Sequence, residues 1–158
     1  MSQYIYEIPL NVLHTMNTTK LESLIYKNFE YLSKFSNIIH TPEYINELLH
    51  SDKVHVYLYM NGKIASGYLI TETTKIADGR HVLFINYIYI GKKYRGDGIG
   101  NQLLAVAEKY AIENNVDGIM LVCDTHKKSV VDWYLRHGYM LDAILRTYNR
   151  NDTFYKAI

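Results

Sequence analysis

Residues 82–90 form an apolar run broken only by Asn86, and three glycines at alternate positions, Gly96, Gly98 and Gly100, follow it closely. Helical periodicity comes next, with Leu103, Leu104, Ala107, Tyr110 and Ala111 on one face. A strand that enters a helix through such a turn has few architectures open to it. Without Cβ atoms, successive N–H groups can converge on an anion, and the helix N-terminus adds its own partial positive charge. A run apolar on both faces predicts a central strand covered on both sides.

Two familiar phosphate loops do not fit. A Walker A loop needs G-x-x-x-x-G-K-[ST], and Gly91 and Gly96 have the spacing, but Asp97 and Gly98 stand where the lysine and hydroxyl belong. The dinucleotide fingerprint G-x-G-x-x-G fits Gly96 and Gly98 and then meets Asn101 in place of its last glycine. A tight strand-to-helix turn that holds no ligand stays open at this point.

The chain has 158 residues, which predicts one domain, 1–158, with a single core of ordinary size. A hydrophobic fraction of 48% and a charged fraction of 21% are those of a soluble globular protein. No apolar run approaches the ~20 residues of a membrane span, and the first ten residues lack the pattern of a signal peptide. The expectation is a cytoplasmic protein. A formal net charge of +1 gives no global case for nucleic acid or an anionic membrane as partner. The single Cys123 excludes an internal disulfide framework and a cysteine-based zinc cluster, and reads as a small buried hydrophobe. None of the seven histidines pairs with another at metal-ligand spacing, so no metal is expected; His137 reads as a helix C-terminal cation. The sixteen tyrosines accompany many Asn, Ile and Lys residues, the signature of an AT-rich coding sequence, and carry no functional weight.

In chain order, residues 3–8 read as a strand and 18–35 as an amphipathic helix with Leu21, Leu24, Ile25, Phe29 and Leu32 inward, opened by a capping box of Thr19 and Glu22. Thr41-Pro42 starts a second helix that buries Ile45, Leu48 and Leu49. Alternation at 54–60, then Asn61-Gly62, then a return strand to Glu72 predicts a hairpin. Beyond the main helix, 119–123 reads as a strand, 129–136 as a short helix, and 139–145 with 153–157 as a closing pair around a turn at 149–152. The order is β-αα-βββ-α-β-α-ββ, without repeats or linkers.

The pattern that does fit the glycine loop is R-x-x-G-x-G, carried by Arg95, Gly98 and Gly100. In this setting it resembles the acyl-CoA pyrophosphate loop of the GNAT superfamily of N-acetyltransferases. Downstream, Trp133-Tyr134-Leu135-Arg136-His137-Gly138-Tyr139 resembles that family's late signature, an aromatic pair on a short helix followed by glycine and another aromatic. The resemblance implies an α+β (mixed α/β) GNAT fold: a mostly antiparallel central sheet with flanking helices and one parallel strand pair. Those two strands splay at their C-terminal ends, and the coenzyme's pantetheine arm lies between them, here with 86–90 and 122–125 as walls.

What the resemblance implies for single residues is specific. Backbone N–H groups of Arg95, Gly96, Asp97, Gly98, Ile99 and Gly100 would hold the pyrophosphate of acetyl-CoA, with Asn101 at the helix start. The edge backbone of Ile88, Tyr89 and Ile90 would pair with the pantetheine amides. Tyr134 would stand near the CoA sulfur as the catalytic acid. Relatives often place an asparagine where this chain has His126-Lys127-Lys128, so Lys127 or Lys128 would meet the 3′-phosphate or simply solvate a helix start.

Acetyl transfer to an amine requires a deprotonated amine, donors for the developing oxyanion and a proton for the departing thiolate. The base is the gap. Some relatives use a glutamate on the strand before the loop, and residues 83–87 carry no carboxylate. Asp124, Glu72 or a water chain ordered by Asn86 remain as candidates. The expected activity is transfer of acetyl from acetyl-CoA to a primary amine, on a small molecule or a peptide, by direct attack in a ternary complex. No nucleic acid or membrane partner is expected; dimers are common in the family, which makes a homodimer one expected assembly. Two other readings stay open: a catalytically silent acyl-CoA sensor or scaffold, favoured by the missing glutamate, and a nucleic-acid domain using Lys92, Lys93 and Arg95, disfavoured by the near-neutral charge.

Overall fold

The computed structural model describes residues 2–158. Its elements are β1 (Gln3–Glu7), α1 (Leu10–Thr15), α2 (Thr19–Asn28), a 3-10 turn (Glu30–Lys34), α3 (Pro42–Leu49), β2 (Val54–Asn61), β3 (Ile64–Lys75) and β4 (His81–Ile90). A second 3-10 turn (Lys92–Tyr94) leads to α4 (Ile99–Glu113), β5 (Gly118–Asp124), α5 (Lys128–Arg136), β6 (Met140–Leu141) and β7 (Asn151–Ala157). The strands form one sheet in the order β1-β2-β3-β4-β5-β7-β6. Every neighbouring pair is antiparallel except β4 and β5. This is the mixed α/β, mostly antiparallel architecture with one parallel pair that the family resemblance implies.

Apolar residues cover the sheet on both faces. Leu103, Leu104, Ala107 and Ala111 of α4 pack with Tyr57, Tyr59, Leu69, Leu83 and Ile85 on one face. Ile25 of α2 and Ile45, Leu48 and Leu49 of α3 pack with Val54, Val56, Ile70 and Tyr87 on the other. A β-bulge explains how β4 serves both. Its register against β3 passes from Thr71↔Ile85 to Ile70↔Tyr87, leaving Asn86 as the extra residue. Leu83 and Ile85 therefore face α4, whereas beyond the bulge Ile88 and Ile90 take that face and Tyr87 and Tyr89 turn to the other.

The structure departs from the sequence reading at three places. The helix expected over 18–35 ends at Asn28, because Phe29 leaves helical geometry (φ −118°, ψ 20°) and lays its ring 4.9 Å from that of Tyr87. Its opening is also shifted by one residue: Thr18, not Thr19, bonds Glu22, with 2.5 Å between Oγ1 and Oε2. The short α1 was not expected; six residues burying only Leu13 give too little period to read. Finally, the closing hairpin is mostly irregular. β6 is two residues long, and residues 142–150 form a loop held by side chains: Arg80 makes a bidentate pair with Asp142 (2.9 and 2.8 Å), and Arg146 donates to Asp152 at 3.0 Å.

A candidate coenzyme cleft

β4 and β5 pair at only three positions, Val82↔Gly118, Leu83↔Ile119 and Phe84↔Met120. Beyond them β4 stays bonded to β3 as far as Ile90 and β5 to β7 as far as Asp124, so the strands' facing edges part. The gap between them is a cleft of about 1340 Å³.

The glycine loop closes one end of this cleft. Gly98 is the N-cap of α4 in the left-handed region (φ 77°), where a side chain would be strained although nothing lies within 4 Å of its would-be Cβ. Gly100 is small for a different reason: a Cβ there would come within 3.2 Å of Trp133 Cζ2. Trp133 Nε1 also donates to Asn101 Oδ1 at 2.9 Å, so the two sequence signatures are in direct contact. Arg95 is not a free cation; its Nε donates to the Ile90 carbonyl at 2.9 Å and its guanidinium lies 5.5 Å from the Tyr89 ring centre. The carbonyl of Ile90, one of the three residues expected to meet pantetheine, is thus already used. Arg95, Gly96, Gly98, Ile99, Gly100 and Asn101 line the cleft together with Ile88, Tyr89 and Ile90, whereas Asp97 does not.

Tyr134 lies on α5 at the cleft wall, 6% exposed, with its ring edge-on to Trp133 (4.9 Å) and Tyr139 (5.6 Å). Burial, then nearby Cys123 and Tyr31, holds its phenol well above the ordinary tyrosine range, so it stays protonated. Burial also pushes the Cys123 thiol up to about 11, consistent with a packed side chain rather than a nucleophile.

The base candidates separate. Asp124 is buried, and its oxygens accept from Arg150 Nε (2.9 Å), Arg150 Nη2 (3.0 Å) and the His126 N–H (2.9 Å). The Arg150 guanidinium above all holds it below the usual carboxylate range, which suits a structural pair and not a base at neutral pH. Glu72 accepts from Asn86 Nδ2 at 2.9 Å and does not itself line the cleft. The same Nδ2 lies 3.0 Å from the Tyr44 hydroxyl, and Asn86 Oδ1 is buried without a partner. Of the two lysines considered for the 3′-phosphate, Lys128 does not line the cleft, and Lys127 Nζ sits 3.6 Å from the centre of the Tyr31 ring.

Several lining residues had no sequence signal. Tyr31, Asn37 and Tyr44 come from the stretch between α2 and α3 or the start of α3 and Asn151 from the start of β7, and only the fold brings that stretch to β7 and the cleft. Among the described residues no group of three His, Cys, Asp or Glu side chains could hold a metal, and no helix is long and apolar enough to cross a membrane.

Residues 20–139 match the sequence profile of the acetyltransferase (GNAT) family. The chain belongs to that family. Solved structures of similar fold include the IAA acetyltransferase from Bacillus cereus: TM-score 0.69, 16% identity, covering 99% of this chain and 100% of that one. Arabidopsis thaliana NAA60 in complex with acetyl-CoA has a TM-score of 0.68 at 15% identity, covering 99% and 98%. An aminoglycoside acetyltransferase from an uncultured soil metagenomic sample has 0.65 at 17%, covering 91% and 95%. At these identities the likeness is one of fold, and the GNAT chain's own cleft must carry the chemistry.

Proposed function

We propose that residues 1–158 act as a single N-acetyltransferase domain that uses acetyl-CoA and a primary amine in a ternary complex. The observation that carries this reading is the parting of β4 and β5 above the left-handed glycine N-cap of α4. The residues present fit the coenzyme: a loop with room for an anion against its backbone, a strand edge left without a partner strand, and Gly100 kept bare beneath Trp133. Loop N–H groups from Arg95 to Gly100 would bind the pyrophosphate, and the free edge at Ile88 and Tyr89 would meet the pantetheine amides.

Acetyl-CoA supplies an activated thioester, and this chain's residues orient it and manage protons. The protonated hydroxyl of Tyr134 is the donor for the leaving sulfur. No side chain of the cleft is a suitable base at neutral pH, so the amine arrives through its own free-base fraction, about one part in a thousand at pH 7 for an amine of pKa near ~10. Turnover should therefore rise with pH through neutrality. The buried, poorly acidic Cys123 supports direct transfer over a covalent intermediate.

Thiol release from acetyl-CoA, measured against a panel of primary amines and followed from pH 6 to 9, tests the reading. Turnover rising with pH is expected; coenzyme binding without turnover on any amine would favour a silent acyl-CoA-binding module. One observation speaks for that second reading: Asp124, the only carboxylate lining the cleft among the described residues, is locked by Arg150.

A further inference from the structure

The charge of the cleft bears on which amine it accepts. Its lining contains four cationic side chains, Lys92, Arg95, Lys127 and Arg136, and one carboxylate, Asp124. Lys92 lies in the 3-10 turn leading into the glycine loop and Arg95 in that loop, the part given above to the pyrophosphate, and Arg136 is the last residue of α5. Lys127 is different. It stands in the turn after β5, with Nζ over the ring of Tyr31, and no carboxylate is ion-paired to it among the described residues.

This end of the cleft is roofed by the segment after α2. Tyr31 meets Lys127, Phe35 lies 5.1 Å under the Arg150 guanidinium, and Asn37 Nδ2 donates to the Asn151 carbonyl at 3.0 Å. Beside Asn37 under the roof stands the uncharged amide of Asn151, 1% exposed and with its side chain without a partner. Arg150 and Asp124 are paired with each other, which leaves Lys127 as the cation lining this end without an ion-pair partner among the described residues. Lys127 is the N-cap of α5 and Tyr134 lies seven residues on along the same helix, about 10 Å along its axis, so with both in the cleft lining the cation stands within a small molecule's length of the proposed acid.

We propose that the acceptor is a primary amine carrying a carboxylate of its own, an amino acid or a compound built like one, and that Lys127 receives that carboxylate. This rests on the acetyltransferase reading above. A single carboxylate matches one unpaired cation, whereas a phosphate brings nearly two negative charges. A polyamine or aminoglycoside would bring several ammonium groups to a wall with no free carboxylate, and like charges brought together are a strong means of rejecting a partner.

The test is kcat/KM for each of the twenty amino acids against its carboxamide, with spermidine and an aminoglycoside alongside. Rates are expressed per free-base amine, because the carboxamide's amine is less basic. The expected result is a preference for the best free acid over its amide of about tenfold or more, no useful turnover of the polycations, a ratio near one in Lys127→Ala and an inverted ratio in Lys127→Glu, all with the KM for acetyl-CoA unchanged. If carboxamides or polycations are turned over as well as the acids, or if no acid is turned over, the substrate class is overturned. If Lys127→Ala raises the KM for acetyl-CoA and leaves the acid-to-amide ratio alone, Lys127 is a coenzyme ligand and the proposal falls. A parallel thermal-shift titration with CoA shows whether the acetyltransferase reading survives either failure.

Discussion

The two ends of the cleft are built differently. The end proposed for the coenzyme is made of one stretch of chain, β4, the glycine loop and α4, closed by Trp133 from the neighbouring α5. The end proposed for the acceptor is made of pieces: the segment after α2, the start of β7 and the turn before α5, joined by two cation–π contacts and by hydrogen bonds of Asn37 to Asn151 and of Thr125 to Arg150. Local backbone constraint fixes the first, and contacts between remote side chains fix the second. A binding site can therefore be rigid and readable at the end where its ligand is common to a family, and composite at the end where the ligand varies.

The contrast can be broken by substitution, and the coenzyme end should respond most. Gly98→Val places a β-branched residue at φ 77°, where even a single methyl is strained by roughly 1–2 kcal/mol. We expect CoA affinity to fall by about a hundredfold or more, since binding also needs the loop N–H groups clear of side chains. The free protein should keep its circular dichroism spectrum, because no atom lies within 4 Å of the new Cβ. Retained affinity in calorimetry would remove the loop from the coenzyme site.

Tyr134→Phe should lower kcat by about ten- to a hundredfold, at the low end for general acids because a thiolate leaves without much help. Coenzyme affinity should change by less than about threefold. Pre-steady-state thiol release distinguishes loss of the acid from slow product release.

Acid sensitivity probes the acceptor end. Asp124 and Asp142, each paired with an arginine, have carboxyls below the ordinary range when folded. As pH falls below the ~3.9 of an unfolded aspartate, the unfolded chain takes up protons first, so the stability these groups contribute is present above that point and lost below it. Melting temperatures from about pH 5 down to about pH 2.5 should fall steeply in the wild type and less steeply in Asp124→Asn. Parallel curves would mean the Arg150 pair contributes nothing. The smallest effect is expected for Glu72→Gln, under about threefold in kcat, since Glu72 does not line the cleft. A hundredfold loss would make Glu72 the base.

The same division explains what was legible in the sequence. The three alternate glycines, the run before them and the periodicity after them are local, and each appears in the structure where its residue type requires it. The parallel pairing of β4 with β5 came from the family resemblance and not from any local pattern. The bulge at Asn86 did not, because an insertion within a strand apolar on both faces leaves the alternation unreadable. The break at Phe29 depends on the Tyr87 ring, 58 residues later in number, and the loop over 142–150 depends on Arg80. Asp124 looked like a free carboxylate until the fold supplied Arg150. Sequence periodicity records what a residue does to its neighbours in the chain and says little about partners that only tertiary structure brings close.

The most direct test of the central claim is a calorimetric titration of CoA into the wild-type protein and into Gly98→Val at one salt concentration. A saturable one-to-one isotherm in the wild type, weakened by about a hundredfold in the variant, is the predicted result. No heat of binding in the folded wild type, or equal affinity in both proteins, would contradict it.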